Sequence, residues 1–449
     1  MTRNIERMIR HGLGGAAYRA ARAARYTFRL YIVYSILLAI GFVLALPFYL
    51  WKGRSTGKYL ASFGERMGRF PGPLNVSGTP SIWIHAVSVG EVLAARALVG
   101  PLKERFPGRR IFLSTTTATG NAVARQSLGA ADGLLFAPFD WPGPVRRALR
   151  AVDPALLVLV ETEIWPNLIH EARRRGTRVA LVNGRISPRS FPRYRRIRRF
   201  LKPVLAEVDV FLMQGEAHAR RVKDMGAPPE KVKVTGNLKF DSLGEVRTPE
   251  PLARLIGAGG PLWVAGSTAP GEEEMVLRAL RAARAKVPGV RLLLAPRHPE
   301  RFAEVASLVE RAGWRGVRRT ALSRPWGDED VLVLDTMGEL AKVYALAAVV
   351  FVGGSLVPAG GHNVLEAAVA RKAVIVGPHM QNFQEVADEF LAEGALVQVR
   401  SAEELGAEVA ALLADAARRD AIGSRARALI DRNRGAVRGT VDALAGLVA

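Results

Sequence analysis

Glu91 is a candidate for taking a proton, although a glutamate at a helix start is common. It closes the segment Trp83-Ile84-His85-Ala86-Val87-Ser88-Val89-Gly90-Glu91, which runs off an apolar strand into a helix, with Gly90 expected to form a tight turn. A carboxylate there can accept the proton of an attacking hydroxyl, or do no more than favour the helix dipole. His85 reads as a structural histidine. Glu161 and Glu163 follow the apolar strand Leu156 to Val160, in Glu161-Thr162-Glu163-Ile164-Trp165-Pro166-Asn167. Helix capping does not need two carboxylates beside Trp165 and Pro166, so this segment reads as functional. Lys239, in Thr235-Gly236-Asn237-Leu238-Lys239-Phe240-Asp241, either neutralises a phosphate or a developing negative charge, or is a solvated linker lysine.

The second half carries groups suited to a nucleotide. Ala265-Gly266-Ser267-Thr268, ahead of Glu272, Glu273 and Glu274, reads as a glycine turn opening a helix, which brings backbone N–H groups near a phosphate. Arg297, in Ala295-Pro296-Arg297-His298-Pro299, faces a phosphate or a base edge, or joins a surface ion pair. The backbone of Asp335-Thr336-Met337-Gly338-Glu339-Leu340 can meet a nucleobase. The richest run is Phe351-Val352-Gly353-Gly354-Ser355, then Gly360-Gly361-His362-Asn363-Val364-Leu365-Glu366. Its glycines admit a ligand close to the backbone. A helix starting near His362 is expected to point at an anion, with Glu366 accepting hydrogen bonds from ribose hydroxyls. Gly377 to Phe383 adds a loop over the same site. Asp328-Glu329-Asp330 has the composition of a metal-binding triplet but reads as a solvated turn, so no metal is expected.

These residues fall at the ends of short apolar runs that alternate with helical patterns. Strands are expected at Ser81–Val89, Arg110–Ser114, Ala155–Val160, Arg178–Asn183, Val208–Met213 and Val232–Gly236. A second series follows at Trp263–Gly266, Arg291–Ala295, Val331–Asp335, Val349–Gly353 and Ala373–Val376. Alternation of this kind implies parallel sheets. Two Rossmann-like domains facing a cleft, the GT-B arrangement, accommodate both series, with ligands at the carboxyl ends of the strands. The expected domains are 56–245 and 246–449, with a linker from Asp241 to Pro251 and a last helix that crosses back to the first domain.

The N-terminal segment, 1–55, reads differently. Leu30 to Trp51 contains no charged residue, and as a helix it would be roughly 33 Å long, enough to span a bilayer core. Arg19, Arg22, Arg25 and Arg29 precede it, Lys52, Arg54 and Lys58 follow it, and Tyr31, Tyr34, Tyr49 and Trp51 lie near its ends. The expectation is an uncleaved transmembrane anchor helix. With no cysteine in the chain, a disulfide framework and a thiolate metal site are excluded. The net charge of +23 favours anionic partners. Arg193-Tyr194-Arg195-Arg196-Ile197-Arg198-Arg199-Phe200-Leu201-Lys202 concentrates that charge on an amphipathic pattern, with Ile197, Phe200 and Leu201 on one face, suited to lipid headgroups, to a phosphorylated ligand or to plain solvation. No nucleic-acid module surrounds it, so nucleic acid is not expected.

Taken in order, Ser88-Val89-Gly90-Glu91, Glu161 to Asn167, Asn183-Gly184-Arg185-Ile186-Ser187, Gly236 to Asp241, Pro296-Arg297-His298-Pro299 and Gly360 to Glu366 resemble the 3-deoxy-D-manno-octulosonic acid (Kdo) transferases over nearly the whole chain. The resemblance implies an inverting glycosyltransferase of lipopolysaccharide biosynthesis that moves Kdo from CMP-Kdo to a lipid A precursor (lipid IVA). It makes Glu91 the general base and assigns transition-state stabilisation to Glu161 and Lys239. CMP binding falls to Pro296, Arg297, Met337, Gly338, Glu339, Asn363, Val364, Leu365 and Glu366. It further implies no metal or other cofactor, no obligate protein partner, and attachment to inner-membrane lipids with the catalytic domains on the cytoplasmic side. The competing enzyme reading is a GT-B transferase using a UDP-sugar on another lipid-linked acceptor, which the Glu91 and Glu161 motifs disfavour. A membrane-tethered protein that binds anions by charge alone is a third reading, disfavoured by the strand-end motifs.

Overall fold

Strands that are apolar on both faces must be covered on both faces, which is the condition of a parallel sheet. The computed structural model, which describes residues 30–44, 62–70, 72–127, 131–241, 247–256, 259–327 and 329–448, meets that condition twice. The chain forms two compact units, Met1–Ser242 with Gly435–Ala449, and Leu243–Arg434.

The first unit holds a seven-stranded sheet in the order β3-β2-β1-β4-β5-β6-β7. Its strands are β1 (Ser81–His85), β2 (Ile111–Thr115), β3 (Gly133–Phe136), β4 (Pro154–Val160), β5 (Arg178–Gly184), β6 (Val210–Met213) and β7 (Val232–Val234). All pairings are parallel. Along β1, Ile82 and Ile84 enter one core, while Trp83 enters the core on the opposite face. The strand order reverses direction between β1 and β4, and such a switch point is where open α/β sheets place their ligands.

The second unit repeats the plan in the order β10-β11-β9-β8-β12-β13-β14. These are β8 (Leu262–Thr268), β9 (Arg291–Pro296), β10 (Gly316–Arg318), β11 (Val331–Val333), β12 (Val349–Val352), β13 (Ala373–Val376) and β14 (Val397–Gln398). Its switch point lies between β8 and β12.

Several expectations need correction. Three strands, β3, β10 and β14, escaped the sequence reading; they are two to four residues long and too short to show a periodicity. The last helix, Ala436–Val448, crosses back to the first unit as expected, burying Val441 and Leu444 in the core with Ile82 and Ile84. The second unit therefore stops at Arg434 rather than running to the last residue. The basic segment is two helices, Phe191–Arg196 and Arg198–Ala206. The break falls at Ile197, which is exposed, whereas Leu201 is buried.

Residues 30–44 are helical, and the rest of the expected anchor, 45–51, lies outside the described residues. One face of this helix rests on the first unit. The Tyr31 hydroxyl donates to Glu207 at 3.0 Å and its ring stacks on His170; the Tyr34 hydroxyl donates to Asp140 at 2.9 Å. The other face exposes Val33, Ile36, Leu37, Ile40, Val43 and Leu44. Among the described residues no helix is long and apolar enough to cross a membrane.

Candidate active site

The Glu91 motif folds as a capping box. Ser88 is the N-cap of the helix Val89–Arg105, and its Oγ accepts from Glu91 N. Gly90 thus lies inside the first turn and makes no tight turn, because the Ser-x-x-Glu spacing starts the helix at Val89 and gives the Glu91 N–H the Ser88 hydroxyl as acceptor. The Glu91 carboxylate receives the Val87 N–H at 2.7 Å and the Ser88 hydroxyl at 2.7 Å. Burial, and after it the charge of Glu163, push its pKa up to about 7, against the lowering effect of those two hydrogen bonds. A carboxylate so poised is suited to proton transfer near neutral pH.

Beside it, β4 is followed by Glu161, which has left-handed backbone (φ 60°). Non-glycine residues held there store strain, a habit of functional sites. Glu161 Oε1 accepts from Lys239 Nζ at 3.0 Å, and Oε2 from Arg185 Nη1 at 3.3 Å. Lys239 Nζ also comes within 3.8 Å of where a Cβ on Gly90 would stand, which puts the ion pair next to the Glu91 helix start. Lys239 is thus held in an ion pair rather than solvated in a linker. Glu163 takes the Trp165 indole N–H at 2.6 Å, and burial raises its pKa. Trp165 stands edge-on to His85. His85 Nδ1 meets Ser114 Oγ at 2.8 Å, while its Nε2 is buried without a partner, so this histidine is only half satisfied. Its pKa falls to about 3 through burial, which keeps it neutral.

In the second unit, Arg297 and His298 follow β9, and His362, Asn363 and Glu366 follow β12. Burial, then the charges of Arg297 and His298, lower the His362 pKa to about 4. The Glu366 pKa is raised by burial, opposed by the Asn363 hydrogen bond and by Arg297. These groups therefore share one neighbourhood, with Arg297 exposed. Val364 and Leu365 are buried and can offer a ligand only their backbone. The helix starts at Leu365 and is five residues long, so the expected helix N-terminus near His362 is absent. Met337 is exposed. Glu339 is taken up by Arg319 at 3.2 Å and Thr336 at 2.5 Å. Asp330, expected in a solvated turn, is buried and paired with Arg284 at 2.7 Å; Asp328 lies outside the described residues.

The two glycine segments behave differently from expectation. Gly266 is within β8, and the helix begins only at Glu272. Glu272 is fully buried, and its carboxylate accepts four backbone N–H groups, from Ala269, Gly354, Ser355 and Leu356, at 2.5–2.9 Å. The Gly353 N–H goes to Gly266 O. A Cβ on Gly353 would stand 2.7 Å from Glu272 Oε2, Ser267 O and Thr268 Cα alike, so glycine is there for the protein's own carboxylate and backbone. The amides of 353–356 are spent internally and are unavailable to a ligand. Glu273 is likewise buried, held by Arg301 at 2.7 Å and Thr268 at 2.9 Å. The run Gly271-Glu272-Glu273 looks in sequence like any acidic helix start, which is why the clamp was missed. Arg185 and Ser88 were quoted in motifs without a role, and for Ser88 the capping-box spacing was the available signal.

Two strand-end clusters, one with a poised carboxylate beside a lysine–glutamate pair and one with an arginine beside a buried glutamate, sit on two Rossmann-like units of the GT-B kind. A family model described as 3-deoxy-D-manno-octulosonic-acid transferase matches residues 61–242, and one described as glycosyl transferases group 1 matches 328–429. A 3-deoxy-D-manno-octulosonic acid transferase of Haemophilus influenzae is 35% identical over 92% of this chain and 97% of its own length. One of Bordetella pertussis is 40% identical over 86% of this chain and 90% of its own length. The chain belongs to the 3-deoxy-D-manno-octulosonic acid transferase family. At the level of fold alone, a UDP-GlcNAc 2-epimerase of Neisseria meningitidis is similar, with a TM-score of 0.54 at 12% identity, covering 82% of this chain and 99% of that one.

With Glu91 as general base, its raised pKa would set a pH dependence. A general base works only when ionised, so a raised pKa delays the onset of activity to higher pH. The transfer rate is expected to rise through a midpoint near pH 7, and at pH 5 to be about a hundredfold below its plateau. Glu163→Gln removes the neighbouring charge and should move that midpoint downward. A pH–rate profile for both proteins checks this; an unmoved midpoint in the variant would show that Glu163 does not act on Glu91.

Proposed function

We propose that this protein transfers Kdo from CMP-Kdo to a lipid A precursor in lipopolysaccharide biosynthesis, with inversion at the anomeric carbon. The observation that carries the reading is Glu91, oriented by Val87 N–H and the Ser88 hydroxyl next to the Lys239–Glu161 pair, in a chain of this family. An acceptor hydroxyl attacks the anomeric carbon, its proton passes to Glu91, and the bond to the CMP phosphate breaks with both electrons leaving on the phosphate. Lys239, held by Glu161, opposes the negative charge that builds up on the departing group. On the second unit, Arg297 would meet the phosphate, while Glu366 and Asn363 would meet the ribose. Pro296, the 337–339 stretch and the backbone of Val364 and Leu365 would complete the CMP contacts. CMP needs little help to leave, and the reading includes no metal.

The acceptor is amphiphilic, and attachment at the cytoplasmic face of the inner membrane fits the reading. The apolar outer face of residues 30–44 and the exposed arginines 193, 195, 196, 198 and 199 suit an anionic leaflet. The test is transfer from CMP-Kdo, generated in place, to a tetra-acylated lipid A precursor, with the product mass counting the sugars added. CMP should inhibit and UDP should not, and Arg297→Ala should raise the donor KM about tenfold or more, as expected for a lost charged hydrogen bond. A well-folded enzyme that transfers nothing, or that UDP inhibits as well as CMP, would overturn the proposal.

A further inference from the structure

The motif that supplies Lys239 ends in Asp241, whose side chain is not needed by the reaction as derived above. Its two oxygens are nonetheless both committed. One accepts the Gly435 N–H at 2.8 Å and the other the Val437 N–H at 2.6 Å. The chain leaves the first unit just after Asp241 and re-enters it at Gly435. Asp241 therefore fastens the point of departure to the point of return, and in doing so caps the helix Ala436–Val448.

Lys239 sits two residues earlier, on the four-residue helical turn Leu238–Asp241. So short a helix has almost no hydrogen bonds of its own to hold it. It is held from outside. At its front the Leu238 N–H goes to Asn183 Oδ1 at 3.0 Å and the Lys239 N–H to Asn237 Oδ1 at 3.1 Å. The Leu238 and Phe240 side chains are buried beneath it, and at its rear the tether is Asp241. Asn183 is itself in left-handed backbone (φ 52°), and the support at the rear of the turn is the Asp241 tether.

We propose that Asp241 is a positioning residue for Lys239, fixing the rear of its turn to the returning chain so that the ammonium group meets Glu161 at 3.0 Å. Displacing a charged group by about 1 Å in a preorganised site can cost about a hundredfold in rate. The inference rests on the transfer reading for its kinetic consequence, but not for the lysine's placement.

The test is a double-mutant cycle. Asp241→Ala is expected to lower kcat about tenfold to a hundredfold, with donor KM and CMP affinity unchanged. In a Lys239→Ala background the same change is expected to cost less than about twofold, because two residues acting through one interaction do not add. Asp241→Asn, which keeps one acceptor oxygen, should fall between wild type and Asp241→Ala, and it decides the question if Asp241→Ala does not fold. A second readout is independent of activity. Lys239 acylation by an amine-directed reagent, followed by peptide mass spectrometry, should be several times faster in the Asp241 variants than in wild type. Equal losses in both backgrounds, unchanged kcat, or unchanged Lys239 labelling would overturn the inference. A wild type that transfers nothing would count against the transfer reading, and the labelling would still decide the role of Asp241.

Discussion

Glu91→Gln should lose transfer by a factor between about a hundred and ten thousand, the usual range for removing a general base, while CMP affinity and thermal stability stay near wild type. The choice of glutamine makes the result decisive. At the third helical position a glutamine completes a capping box as a glutamate does, so the Ser88 pairing and the helix start survive. The amide oxygen can keep the Val87 N–H and the amide nitrogen can donate to the Ser88 hydroxyl instead of accepting from it, while the ability to take a proton goes. A residue whose role is to cap the helix Val89–Arg105 would tolerate this substitution, and initial rates at saturating donor separate the two roles. Retained activity would leave the family assignment intact and return Glu91 to the helix.

Glu272→Ala should destabilise the second unit by about 4 kcal/mol or more. Four backbone N–H groups lose their acceptor at once in a buried place, and each unsatisfied buried group costs about 1–3 kcal/mol. Glutamine should recover only part of the loss, because its amide nitrogen would face a backbone donor. Urea unfolding followed by fluorescence of Trp263, Trp314 and Trp326 measures this, and a loss below about 1 kcal/mol would show that the turn finds other acceptors. The variant should also weaken CMP binding, since Gly354, within the clamped turn, accepts the Gly361 N–H and so leads directly to His362 and Asn363.

Both predictions show which parts of the molecule were legible in the sequence. The long apolar strands β4 and β5 were plain, because a strand buried on both faces is uniformly apolar. The placement of Glu91 and Glu161 was plain too, because strand ends are where such folds bind. What the sequence did not disclose were side chains whose partners lie far along the chain: Lys239 with Glu161, Asn183 with Leu238, Glu272 with the turn at 354–356. A glycine pair looks the same whether it admits a ligand or the protein's own carboxylate, and the sequence reading of Gly353-Gly354 chose the ligand. The break at Ile197 was hidden for a similar reason. Helical periodicity runs on through it, and the burial that separates Leu201 from Ile197 is a property of the assembled unit.

The last helix has a consequence for how the protein is made. It fills the face lined by Ile82, Ile84 and Val92 with Val441 and Leu444, yet a ribosome reaches it only after the entire second unit has been synthesised. The usual order, in which the N-terminal part of a chain finishes folding first, is thereby inverted. The second unit can close on itself during elongation, while the unit begun earlier waits with an apolar face uncovered. Completion of the core beneath the site that bears Glu91 and Lys239 therefore has to follow synthesis of the second unit.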